Sequence, residues 1–250
     1  MESKMKTIYT ESKQSEQEYR KLAQQGAKLG IPVTECFLQM EVSMPDGSIL
    51  HAHKQRSHSW VRNAYNALAC SLLGINDSDN TFGAGKINGK DTAGNLHYNL
   101  GSGEVAISQQ NNDVEGADDG YRGSLGSADW GIVVGTSADV ESFEDYALHA
   151  QCLNGVGINQ FNHIEGNIPV KAYNAGTKTY SAAHSRFYNN NSGADIILNE
   201  TGIVCKGSQS GDWYGVHHKL VCRDVLISPV TVPDGGQLKV TYTISLVYPA

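Results

Sequence analysis

The chain has 250 residues, of which 40% are hydrophobic and 18% charged, with a formal net charge of −7. These values suit a globular chain with a real core, in one all-β domain or two smaller ones, and exclude a disordered one. The acidic balance argues against a nucleic-acid partner, whose phosphates need clustered Lys and Arg.

No apolar run follows Lys4 and Lys6, and no apolar stretch of about 18 residues exists to span a bilayer. Neither a secretory leader nor a membrane partner is expected, so the chain is expected to be made in a cytosol. The cysteines Cys36, Cys70, Cys152, Cys205 and Cys222 are odd in number and form no C-x-x-C pair. They read as reduced, mostly buried thiols.

In chain order, Glu11 to Leu29 is polar and helix-permissive, with Tyr19, Leu22, Gly26 and Leu29 outlining a weak stripe. A helix this polar is marginal alone. Residues 1–30 are therefore expected to form an N-terminal helical arm, either solvated or ordered against a partner. Gly30 and Pro32 end it. Cys36, Leu38, Met40, Val42 and Met44 then alternate with polar neighbours as a strand, and Pro45-Asp46-Gly47-Ser48 turns the chain into a second strand from Ile49. His51 and His53 supply two ligands of a zinc or nickel site, but a third is needed and none lies near in sequence. They are expected to be ordinary strand residues, as is the pair His217-His218, whose side chains point to opposite faces.

From Ser57 to Leu73 the residues Trp60, Val61, Ala64, Tyr65, Leu68, Ala69, Leu72 and Leu73 form a broad apolar stripe, with Arg62, Asn63 and Asn66 off it. That stripe predicts a helix facing a sheet, or one whose apolar face is buried on assembly. Residues 77–126 shift to Asn, Asp, Gly and Ser and read as a polar, loop-rich insertion. Its motifs fail on inspection. Phe82 stands where a calcium loop opened by Asp77-Ser78-Asp79 requires Gly, and Gly83-Ala84-Gly85 lacks the third glycine of a dinucleotide fingerprint. Asp118-Asp119 and, further on, Glu144-Asp145 read as solvated turns. With no G-x-S-x-G elbow and no H-E-x-x-H, no catalytic, cofactor-binding or metal-ligating residues are assigned and no enzyme is expected.

Order returns with a short strand over Ile132 to Val134, followed by strands over Ile164 to Tyr173, Thr177 to Tyr188, Ala194 to Val204 and Tyr214 to Asp224. Val230 to Val232, the turn Pro233-Asp234-Gly235-Gly236 and the long alternation from Leu238 to Tyr248 read as a hairpin. The expected fold is mainly β, an antiparallel β-sandwich or jelly roll over residues 31–250 with one packed amphipathic helix.

Three blocks resemble sequences of tailed-bacteriophage virion proteins. The first is Gly131-Ile132-Val133-Val134-Gly135-Thr136 with Asp145-Tyr146-Ala147-Leu148. The second runs from Arg186-Phe187 through Asn190, Asn191, Ser192 and Gly193 to Glu200, Gly202 and Ile203. The third, and most specific, is Arg223-Asp224-Val225-Leu226, Ser228-Pro229-Val230 and Thr241-Tyr242-Thr243-Ile244-Ser245, and the Ser59-Trp60-Val61-Arg62-Asn63 helix resembles a feature upstream of them. The resemblance implies a structural virion subunit in capsid, neck, tail or fibre, with other virion proteins and copies of itself as partners. Tyr19, Leu22, Leu29, Trp60 and Tyr65 are the expected assembly residues. The competing reading is a module that binds a host-surface glycan, with Trp213 and Tyr214 in a ligand-facing loop. A hydrolase using a carboxylate such as Asp118 or Glu144 is the third.

Overall fold

A computed structural model of the protein describes residues 8–9, 12–73, 86–97, 120–208 and 216–248. The motifs at 77–79 and 83–85, the pair Asp118-Asp119 and the loop residues Trp213 and Tyr214 lie outside them. In order the elements are β1 (Ile8–Tyr9), α1 (Lys13–Leu29), β2 (Val33–Ser43), β3 (Ile49–Arg56), α2 (Arg62–Leu73), β4 (Gly89–Lys90), β5 (Leu96–His97), β6 (Gly131–Gly135), β7 (Asn162–His163), β8 (Val170–Asn174), β9 (Thr179–Asn189), β10 (Ile196–Ser208), β11 (Val216–Val232) and β12 (Gln237–Val247). The protein is mainly β. One sheet runs β1-β3-β2-β12-β9-β7 with β8 also on β9, a second runs β11-β10-β6, and β4 with β5 forms a separate hairpin. Strands pair antiparallel except β1 on β3.

The alternation at the C-terminus makes β12 the axis of the larger sheet. It pairs along its length with β2 on one side, Tyr242 opposite Leu38, and with β9 on the other, Val240 opposite Arg186. Leu238, Val240 and Tyr242 are fully buried beside Cys36, Leu38, Met40 and Val42. The same core holds Ile132, Val134, Ile203, Val221 and Val230 from the second sheet. Val61, Trp130 and Leu148 then cluster with Val133, Val204 and Leu220 on that sheet. Covered on both faces, β6 is apolar without alternation, as a buried strand should be.

The structure corrects the predicted C-terminal hairpin. Gly236 N–H closes the turn on Pro233 C=O at 2.9 Å, but β11 lies in the second sheet and β12 in the first, so the turn carries the chain between sheets. Val230 to Val232 is the end of one 17-residue strand that already contains 216–224. Pro229 fits because the register skips from Val230 opposite Leu198 to Val225 opposite Glu200, and within that bulge no ladder N–H is required. The strand predicted over 164–173 shortens to Val170–Asn174.

Each helix turns only part of its predicted stripe inward. In α1, Tyr19 and Ala23 are half-buried and Gly26 is buried, while Leu22 and Leu29 are 52% and 70% exposed. A Cβ on Gly26 would sit 2.4 Å from Val33 Cγ2, so the small residue sets the approach of helix to sheet. Arg56 closes this contact, stacked 4.0 Å from the Tyr19 ring and 4.6 Å from the Phe37 ring, with ion pairs to Glu16 at 2.7 Å and Glu35 at 3.1 Å. In α2, Asn63, Ala64, Asn66, Ala67 and Cys70 are buried, whereas Tyr65, Leu68, Leu72 and Leu73 are exposed. The asparagines face inward because they satisfy irregular backbone. Asn63 Nδ2 donates to Lys90 C=O and Leu220 C=O, its Oδ1 accepts from Lys90 N–H, and Asn66 Nδ2 donates to Asn88 C=O at 2.7 Å.

Arg186 of β9, fully buried, donates to five backbone carbonyls, those of Ile164, Trp130, Ile132, Ser124 and Ser127, at 2.6–3.1 Å. These five acceptors match the five N–H donors of a guanidinium and fasten residues 124–132 to the larger sheet. Arg186→Lys keeps the charge but has three donors on a point group. It is expected to cost at least about 3 kcal/mol. Urea denaturation checks this, and a loss below about 1 kcal/mol contradicts it.

Candidate functional site

Asp145, Glu200 and Arg223, one residue from each of the three sequence blocks, meet at the second sheet. Arg223 of β11 donates to Glu200 of β10 at 2.7 Å, to Asp145 at 2.9 Å, and to Val140 C=O and Asp139 C=O at 3.3 and 3.0 Å. Arg223 and Glu200 are fully buried. Burial works against the charge on Arg223, but Glu200 and Asp145 outweigh it and hold its pKa above the ordinary value. Glu200 also accepts from His149 N–H and Ala150 N–H, and Glu141 accepts from Val225 N–H at 2.7 Å. The segment 139–150 is thereby strapped to β10 and β11. The solvated turn expected from sequence describes Glu144, exposed on a turn and paired with Arg62, but not Asp145, whose side chain is largely buried and pairs with Arg223 and His149.

Asp139, Asp145 and His149 line a cleft of about 470 Å³ that Thr92, Ala93 and Tyr146 complete in part. His149 lies between two carboxylates, Nδ1 at 3.0 Å from Asp139 and Nε2 at 3.2 Å from Asp145. The bond to Asp139 is the main reason its pKa is raised. An imidazole with both nitrogens engaged, held toward its cationic form, offers no lone pair to a metal or a substrate proton. Chemically this arrangement orients a loop.

A second constellation sits where the β4–β5 hairpin meets β11. Asp91 Oδ1 accepts from Ala93 N–H at 3.0 Å and Asn95 N–H at 2.8 Å, shaping the turn, while Oδ2 lies 2.8 Å from His97 Nε2. Burial disfavours ionised Asp91, but the bonds from His97 and Asn95 outweigh it and hold its pKa below the ordinary carboxylate value. The rings of His97 and His217 lie with centroids 3.6 Å apart, tilted by 39°. Burial, then the neighbouring His97, lowers His217 to about 4. Lys219, on the same face of β11, is buried and for that reason lowered to about 8. One ligand atom from each of Asp91, His97 and His217 lies within 4.8 Å of the others.

Of the residues named from sequence, Leu22, Leu29 and Tyr65 are exposed, Tyr65 with its ring 5.5 Å from Phe143. Tyr19 is clasped by Arg56. Trp60 is half-buried against the core and bridged to Cys222, so it belongs to inner packing. His53 is buried and bonded to Gln55 Oε1 at 2.8 Å, and no third ligand joins it and His51 among the described residues. All five cysteines are free and buried, as expected. Sequence reasoning passed over Asp91 and His97. The available signal was the turn sequence Asp91-Thr92-Ala93-Gly94-Asn95, which brings its two flanks together. No helix among the described residues is long and apolar enough to cross a membrane. Compared with known protein families, curated proteins and solved structures, the chain has no match.

Next to Arg223, Asp224 is fully buried and accepts from the Tyr242 hydroxyl at 2.9 Å across the two sheets. Burial raises its pKa from 3.8 to about 6, against the pull of that bond. The folded-state pKa lies above the unfolded one. The contribution of Asp224 is therefore fully present below about pH 4 and lost as pH rises through about 6, roughly 3 kcal/mol in all. Asp224→Asn imitates the protonated acid. Relative to wild type it is expected to gain up to about 3 kcal/mol between about pH 4 and 8, measured by urea denaturation across that range. A stability difference that stays flat over the range contradicts the assignment.

Proposed function

We propose that the protein is a non-enzymatic structural subunit of a bacteriophage virion, assembling with copies of itself or other virion proteins on the particle exterior. In this reading the two stacked antiparallel sheets form a sandwich of the jelly-roll type. The observation that carries the proposal is the apolar surface of both helices. Leu22, Leu29 and Ile31 on and after α1, and Tyr65, Leu68, Leu72 and Leu73 on α2, are each more than half exposed. Apolar groups grouped in this way mark contact surfaces. The blocks that resemble virion proteins support the same reading, because Arg186, Glu200, Arg223 and Asp224 are buried scaffold and present nothing to a substrate. The net charge of −7 favours a place away from packaged DNA.

Light scattering on the full chain tests this. A closed oligomer is expected, reduced to monomer by Leu22→Asp with Leu29→Asp or by Tyr65→Asp with Leu72→Asp, with unchanged far-UV circular dichroism. A monomer at every concentration, in wild type and variants alike, contradicts self-assembly through the helices.

A second reading, a host-glycan-binding module, rests on a different surface. An open depression of about 690 Å³ is lined by Asn174, Thr177, Ser181, Thr243, Ser245 and Tyr173. Tyr173 is 55% exposed, with the rings of Tyr180 and Tyr248 6.5 and 6.4 Å away. Exposed tyrosines beside hydroxyl and amide groups suit a sugar ring. Glycan binding by the isolated protein that Tyr173→Ala abolishes would favour this reading.

A further inference from the structure

We propose that Asp91, His97 and His217 form a binding site for a divalent transition-metal ion of the zinc class, which staples the β4–β5 hairpin to β11. Two imidazoles and one carboxylate are a borderline donor set that suits zinc, cobalt or nickel, and its nitrogens disfavour calcium and magnesium, which take oxygen. Zinc bonds of about 2.0–2.1 Å place tetrahedral donors roughly 3.3 Å apart. The Asp91 Oδ2 to His97 Nε2 distance of 2.8 Å need open by only about half an ångström to meet that geometry. The outer limit of 4.8 Å on the set closes by about 1.5 Å. Both changes require the two imidazoles, whose ring centroids lie 3.6 Å apart, to swing away from each other while the carboxylate keeps its place.

Three features prepare the site. Asp91 spends Oδ1 on the turn, through Ala93 N–H and Asn95 N–H, which fixes the carboxylate while Oδ2 faces the imidazoles. Asn95 Nδ2 donates to Oδ2 at 3.2 Å, a neutral contact that orients the oxygen a metal would share. His217 makes no side-chain hydrogen bond among the described residues. The hairpin itself has two residues in each strand, too few to be stable unaided. It is held to the body by Asn63, by Asn66 and by Thr92 N–H to His218 C=O at 2.9 Å. A metal bond to His217 adds a link between segments far apart in sequence. Three protein ligands leave the fourth position of a tetrahedral ion to water or an external donor. The nearby Lys219 ammonium opposes the cation and moderates its affinity.

The test uses the full-length protein stripped of metal with a chelator and then titrated with Zn²⁺ alone, by calorimetry and thermal unfolding, with Co²⁺ as a spectroscopic probe. One ion per chain is expected, with a tetrahedral Co²⁺ spectrum. Tm should rise by roughly 5–10 °C at free zinc near 100 times Kd. His97→Gln and His217→Gln are each expected to weaken binding at least about tenfold and to remove the Tm rise, while unfolding cooperatively without metal. Asp91 is left intact because its loss would also break the turn. His51→Gln, outside the cluster, is expected to behave as wild type. Absence of binding up to about 1 mM zinc, or equal binding by the two cluster variants, overturns the proposal.

Discussion

Two buried guanidinium groups determine how the irregular half of this protein is attached to its sheets. Arg186 satisfies all its donors on carbonyls of residues 124–132 and on Ile164, and Arg223 joins β10 to the segment 139–150 through Glu200 and Asp145. A buried charge left unpaired costs several kcal/mol, so neither loop can lift away while its arginine stays inside. Glycines complete the arrangement. Gly123 has φ +62, and a Cβ there would meet the Arg186 guanidinium at 2.7 Å. Long connections that composition alone would assign to mobile surface are thus tied to the core.

The consequence for function is a separation of roles. Polar residues most suggestive of chemistry, Glu200, Arg223, Asp224 and Arg186, are used up inside the scaffold, and His149 has both nitrogens committed. Among the described residues, the apolar ridges of α1 and α2 and the tyrosines near Tyr173 remain on the outside, and the Asp91, His97 and His217 set lies largely buried beside the hairpin.

Strand alternation was legible wherever one face is buried and the other open. β2, its turn into β3, and β12 follow directly from the residues, because period two in the sequence is period two in burial. The destination of β12 was not legible: a hairpin and a crossing between sheets need the same turn and the same alternation, and only long-range pairing with β2 and β9 distinguishes them. The buried face of α2 was misjudged because Asn63 and Asn66 were counted as solvent-facing, while their carboxamides were required by backbone of 88–90 and Leu220. The His97 and His217 contact was hidden for a related reason, since 120 positions of sequence separate them (217 − 97). No local spacing could reveal it.

The most direct measurement of the central claim is native-state hydrogen exchange. If the two arginines make the loops part of the folded unit, protected amides in 126–136 and 150–166, such as Gly126, Thr136, Cys152 and Gly166, will open with nearly the same free energy as those of β10, β11 and β12. Exchange of these loop amides several kcal/mol more easily than the strands, with the strands unaffected, would contradict the account and leave the arginine contacts as local decoration on an independently stable pair of sheets.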